Sequence, residues 1–217
     1  MGKSLYSLIL NDEVVAEIDK AALRTGTNRS ALVNSVLADY VQYMTPEKRI
    51  GNIFDCIEQL LADDSELIPF VAPNRRTMSM KSSLEYKYRP TVRYEVQLFH
   101  PHDNVIGELS VTFRTQSVTL LESMGRFFTL FKRLEDTYVA PLYPAGALTH
   151  ALYDGKFVRS IALPLGRDYN NEQLSRAISD YVRMFDSLMK GWINGSYSPH
   201  ALESAYLAKV NNLTSLI

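Results

Sequence analysis

The chain has 217 residues, of which 46% are hydrophobic and 22% charged, with 23 Lys and Arg against 24 Asp and Glu, four His and one Cys. So near a neutral balance, no global field draws the protein to nucleic acid or to an anionic membrane. One cysteine excludes an internal disulfide framework, and no apolar run approaches the ~18 residues that span a bilayer. No basic stretch followed by an apolar one opens the chain, so no secretory leader is expected and the expected setting is the cytoplasm.

The first element is a strand over Leu5 to Leu10. In it Tyr6, Leu8 and Leu10 share one face, and Leu5, Ser7 and Ile9 the other. Asn11 and Asp12 then offer a helix start with acids in the first turn. Val14, Ile18 and Ala21 or Ala22 recur at helical spacing. Gly26 suits the left-handed position just past that helix. Asn28 suits the cap of a second helix, where Leu32, Val36 and Tyr40, with Val33, Leu37 and Val41, form a wide apolar stripe. One strand and two helices make an incomplete object, because the strand's backbone groups need a ladder partner. The economical solution is a two-fold dimer in which two strands pair antiparallel under four helices.

Asn11-Asp12-Glu13-Val14 followed by Ile18, then Gly26-Thr27-Asn28-Arg29-Ser30-Ala31-Leu32, resembles the ribbon-helix-helix family of the CopG, Arc and MetJ type. The resemblance covers roughly residues 3–44. It implies a homodimer or higher even oligomer whose paired strands enter the DNA major groove. The groove-facing positions correspond to Lys3, Leu5, Ser7 and Ile9. Asn28, Arg29 and Ser30 correspond to the phosphate clamp at a helix N-terminus, where free backbone N–H groups favour anions. Of the central ribbon positions only Ser7 hydrogen-bonds to base edges. Leu5 and Ile9 fit thymine methyls or another protein surface. Residues 1–44 carry four cations and five acids, a net −1.

Beyond Pro46, the residues Ile50, Ile53, Phe54, Ile57 and Leu60 or Leu61 predict a third helix, a linker or the first helix of a new domain. Cys56 within it is expected as a small buried hydrophobe. Period-two alternation then predicts a meander. Leu84, Tyr86 and Tyr88 form its first run, Val92, Tyr94, Val96 and Leu98 its second, and Leu109, Val111 and Phe113 its third. A turn is expected at Pro101-His102-Asp103-Asn104. A long helix over about Ser117 to Tyr138 follows, then a hairpin turn at Tyr153-Asp154-Gly155-Lys156 leading into a strand from Phe157 to Leu163. Helices over roughly Asn171 to Trp192 and Pro199 to Asn211 complete the pattern. The expected class is α+β. A ribbon-helix-helix dimerisation module (1–45) and a linker helix (46–75) precede a domain (76–217) with a mostly antiparallel sheet and helices on one face. That last domain is expected to sense a ligand, oligomerise or bind a partner.

The chemistry is sparse. No phosphate loop, dinucleotide fingerprint, nucleophile elbow or zinc spacing is present, so no enzyme and no cofactor are expected. His100 and His102 flank Pro101, with His150 and His200 far off in sequence; exposed turn histidines are expected and no metal. Arg75, Arg76, Lys81, Lys87, Arg89 and Arg93 stand against Glu85 alone, a local +5. This bias is a solvated sheet face, a second DNA-contacting surface or a pocket for an anionic effector. Tyr86, Tyr88 and Tyr94 face the other way, toward a core. The functional expectation is a homodimeric transcriptional regulator, a repressor, acting on double-stranded DNA, with a small-molecule effector or protein partner at the C-terminal domain. The alternative is a protein-interaction or plasmid-maintenance protein (partition or relaxosome accessory) that uses the same unit mainly as a dimer clamp.

Overall fold

The computed structural model describes residues 4–71, 76–84, 90–99 and 104–217, and divides into two compact units, Met1–Lys48 and Arg49–Ile217. In the first unit residues 4–10 have no regular structure, and no main-chain hydrogen bond ties them to the other described residues. Helix α1 (Asp12–Arg24) follows, its start fixed by the Asn11 side chain accepting from Glu13 N at 3.2 Å. Acids sit in its first turn and Arg24 in its last, matching the helix dipole. Gly26 takes φ +63, a left-handed turn open to glycine without strain. Helix α2 (Arg29–Tyr40) is capped by Asn28, which accepts from Ala31 N at 2.9 Å. Both helices form where the caps and periodicity place them.

The second unit is α+β. Helix α3 (Pro46–Leu61) buries Ile50, Ile53, Phe54, Ile57 and Leu61, one stripe at helical spacing. From Arg49 onward it is the first helix of this unit's core and not a free connector. Cys56, expected to be buried, is half-buried.

Among the described residues six antiparallel strands follow: β1 (Leu67–Val71), β2 (Thr77–Ser83), β3 (Thr91–Leu98), β4 (Val105–Phe113), β5 (His150–Tyr153) and β6 (Lys156–Ala162). Their order across the sheet is β1-β2-β3-β4-β6-β5. The first four form a meander. Helix α4 (Val118–Tyr138) then carries the chain to the β5–β6 hairpin, whose β6 pairs with β4. The hairpin turns at Gly155, with φ +67, where a Cβ would lie 2.7 Å from the Phe113 carbonyl oxygen. Conformation and space both require glycine there.

Burial in β3 alternates strictly, with Val92, Tyr94, Val96 and Leu98 inside. Register extends this into rows across the sheet: Met80, Tyr94, Val111 and Phe157 in one, Met78, Val96, Leu109, Arg159 and His150 in the next. Helices α4, α5 (Asn171–Ile193) and α6 (Pro199–Asn211) supply the facing layer. Phe127 and Phe131 of α4 lie 5.4 and 4.7 Å from the Phe185 ring of α5, and Phe157 of β6 lies 5.2 Å from it. Tyr206 of α6 meets Phe131 edge-on at 5.4 Å. These offset and edge contacts add to the apolar burial that holds the unit together. Ser117, Asn170 and Ser198 cap the three helices, Asn170 with Gln173 in a reciprocal box.

Two expected runs fall differently. The strand expected over Leu5 to Leu10 is not formed in this chain. The strand anticipated from Leu84 is absent at its start: Leu84 lies beyond β2, its N–H donating to the Pro90 carbonyl at 3.0 Å. Tyr86 and Tyr88 lie outside the described residues, as does most of the turn expected at Pro101 to Asn104.

Candidate nucleic-acid interface and a buried ion cluster

In the first unit the apolar side chains have almost nothing to cover them. Ala22 and Ala38 are the buried residues of its two helices. Tyr6 is 82% exposed, Leu8 61%, Leu10 42%, Val36 57% and Tyr40 86%. Leu23, Leu37 and Val41 are also exposed. This is a half-built core. Leu5 and Ile9 are fully open at 99% and 104%, whereas Leu8 and Leu10 are partly covered.

The expected clamp residues sit together at the start of α2, but with partners of their own. The Asn28 side chain is engaged as the cap. The Arg29 guanidinium grips Asp19 of α1, with Nε donating to Oδ1 at 2.7 Å and a second donation to Oδ2. That pair holds the Asp19 carboxyl below its ordinary range and the Arg29 pKa above its own. Ser30 is exposed and Ser7 is exposed. Lys3 lies outside the described residues.

The proposed second basic surface is divided. Lys81 and Arg93 are cross-strand neighbours on the wet face of the sheet, and Arg76 is exposed just before β2. Arg93 bridges Glu95 at 2.8 Å and donates to Ser79 at 3.2 Å. Arg75, Lys87 and Arg89 lie outside the described residues. Tyr94 is fully buried, as its register requires.

Sequence reasoning missed the main polar feature of the second unit. Arg159 of β6 and Glu135 of α4 are each 1% exposed. Arg159 Nε donates to both Glu135 oxygens at 2.9 and 3.0 Å. Its other nitrogens donate to the main-chain oxygens of Ser160 and Ile217. His150 Nε2 is 2.7 Å from Glu135 Oε2, its side chain 1% exposed; this histidine is a core residue, against the expectation of an exposed turn. Tyr181 donates to the same carboxylate at 3.1 Å, and its ring lies 4.4 Å from the Arg159 guanidinium. Burial works against the charge on Arg159, but Glu135 and the surrounding tyrosines more than offset it, so its pKa is raised. Burial pushes the Tyr181 phenol far up. The hydroxyls of Tyr143 and Tyr206, also buried, have no hydrogen-bond partner among the described residues. A legible signal existed: the alternation Phe157, Arg159, Ile161 puts an arginine on the core face.

A second polar knot ties α5 to the α3–β1 end. Tyr94 donates to Asp186 at 2.7 Å, Lys190 bridges Asp186 and Glu66 at 2.6 and 2.7 Å, and Arg183 contacts Asp64 at 3.2 Å. Asp64, Glu66, Arg183 and Asp186 border an open cleft of about 490 Å3 lined also by Asp63, Ser65, Leu67 and Ser187. Asp64 pairs with Arg183 of α5, and Glu66 and Asp186 with Lys190. No group of three or more metal-binding side chains occurs among the described residues, and no described helix is long and apolar enough to cross a membrane. Comparisons with protein-family models, curated proteins and solved structures gave no match.

Proposed function

We propose that the protein is a homodimeric ribbon-helix-helix regulator that binds double-stranded DNA through its N-terminal unit. The observation that carries this reading is the exposed apolar set of that unit: Tyr6, Leu8, Leu10, Val36, Leu37 and Tyr40 lack full cover in one chain. A second copy provides it. The two leading segments pair as a ribbon, satisfying backbone groups that have no ladder partner, and α1 and α2 of both chains close over it. Ser30 and the α2 N-terminus then face phosphate, while Leu5, Ser7 and Ile9 face the groove. The second unit, a rigid α+β body, sets the spacing of the ribbon or receives a small effector or partner protein.

The test is a mobility-shift series of the full chain against duplex fragments. Binding at about 50 mM salt that weakens steeply as salt rises supports the reading; no binding at that salt rejects it. Arg29→Ala should abolish the shift. The alternative, a dimer clamp in a protein-interaction role, is favoured by one observation: Arg29 is already paired with Asp19. Under it Arg29→Ala has little effect on partner binding.

A further inference from the structure

We infer that the second unit holds a binding site for a small branched aliphatic carboxylate around Arg159, with Leu216 and Ile217 of the same chain as its exchangeable occupant; this builds on the reading of that unit as the receiver of an effector and does not depend on DNA binding by the first. Ile217 lies beyond the end of α6, yet it is 2% exposed. Its main-chain oxygen accepts from the buried Arg159 guanidinium. The N–H of Leu216 donates to the Tyr169 hydroxyl at 3.2 Å. Consecutive main-chain groups are thus held by side chains from β6 and from just before α5. The Ile217 side chain joins the hydrophobic core, and Leu213 and Leu216 pack against it. In form this segment is a bound peptide, with an aliphatic group in an apolar setting and an oxygen on an arginine.

The site has more donors than this occupant satisfies. Tyr143 and Tyr206 are 4% and 0% exposed, and their hydroxyls have no hydrogen-bond partner among the described residues. The Arg159 charge acts on both phenols, so both stand around the same guanidinium. Unpaired donors in a core are unfavourable. The nearby carboxylate of Glu135 is engaged by Arg159, His150 and Tyr181 and takes neither. A peptide carbonyl brings one oxygen. A carboxylate brings a second, with about four lone-pair sites in all, and its bonds to a guanidinium are charge-assisted. A ligand that keeps the branched side chain of Ile217 and adds that oxygen therefore satisfies more of the site than Ile217 does.

The probe is 3-methylpentanoate, the isoleucine skeleton without its amino group, added to the full chain at millimolar concentration. In wild type, hydrogen exchange of residues 212–217 should speed up several-fold as the Leu216 N–H leaves Tyr169. Acetate and 3-methylpentanamide at the same concentration should not have this effect. By isothermal calorimetry, Ile217→Gly should bind the probe about tenfold more tightly than wild type, because its tethered competitor is weakened. Adding Tyr143→Phe and Tyr206→Phe should reduce that affinity about tenfold, several-fold for each hydroxyl bond lost. Phenylalanine suits a position whose phenol is unpartnered, so these two changes keep the fold, checked by circular dichroism. If Ile217→Gly does not fold, the exchange experiment on wild type and on the double phenylalanine variant decides. Exchange unmoved by the probe in wild type, equal effects of the acid and the amide, or indifference to the loss of both hydroxyls overturns the site. None of these readouts involves a duplex, so failure of the DNA-binding reading shows separately, in the mobility shift.

Discussion

Position 159 is an arginine where the strand alternation of Phe157 and Ile161 calls for an apolar side chain. It is tolerated because Glu135 reaches it from α4 and His150 and Tyr181 complete the carboxylate's hydrogen bonds. Removing one partner strands the other charge in the core. Glu135→Ala should therefore lower stability by about 3–5 kcal/mol in chemical denaturation, whereas Glu135→Leu with Arg159→Met should cost far less. Asp64 offers a pH test. Burial raises its pKa, but the N–H groups of Glu66 and Leu67 and the Arg183 guanidinium outweigh burial, so the carboxyl lies below its ordinary value. A depressed carboxyl stabilises the fold above the unfolded pKa of about 3.9 and loses that contribution as pH falls through the folded value. Asp64→Asn should flatten the acid limb of the stability curve below about pH 4 and leave a smaller pH dependence there. In the first unit, under the proposed dimeric DNA-binding reading, Asp19→Asn frees Arg29 and removes two negative charges per dimer. Duplex affinity measured by fluorescence anisotropy should rise several-fold, with a steeper salt dependence.

Elements with a strong period were legible. The capped helices α4, α5 and α6 fall within a residue or so of the positions that Ser117, Asn170 and Ser198 mark, and β3, β4 and the Asp154-Gly155 hairpin follow from alternation and turn chemistry. Strands β1 and β2 were not legible. Leu67 to Val71 is five residues with Pro69 at its centre, a pattern that reads as a loop; as an edge strand it tolerates a residue without an N–H. Thr77 to Ser83 alternates methionines and serines, weak strand formers, and becomes a strand because Met78 and Met80 fill adjacent rows on the core face between β1 and β3. The cluster around Arg159 was missed for another reason: its members come from α4, β5, β6 and α5, distant in sequence, and pairing across the β4–β6 crossover brings them together. Gly107 gives a test of this sheet. It lies at the register shift of β4, where a Cβ would come 2.4 Å from the Gln97 carbonyl oxygen. Backbone cannot yield as a flexible side chain can, so Gly107→Ala should destabilise the second unit by about 1–3 kcal/mol, read as a lowered denaturation midpoint.

The whole molecule joins two units of opposite character. The second has a closed core of aromatic rings, satisfied caps and internally paired charges. The first has the local signals of a fold but little interior, with Tyr6, Leu8, Val36, Leu37 and Tyr40 exposed. Its helices could be read from sequence because caps and periodicity are local signals, whereas the strand expected over Leu5 to Leu10 is not formed in the single chain. The most direct measurement is the hydrodynamic mass of the full chain at low micromolar concentration, by sedimentation equilibrium, with Leu8→Lys alongside. A two-fold dimer predicts twice the 24.6 kDa subunit mass for wild type and dissociation for the variant, whose charge would fall in the shared core. A stable single subunit, or a dimer indifferent to Leu8→Lys, contradicts it.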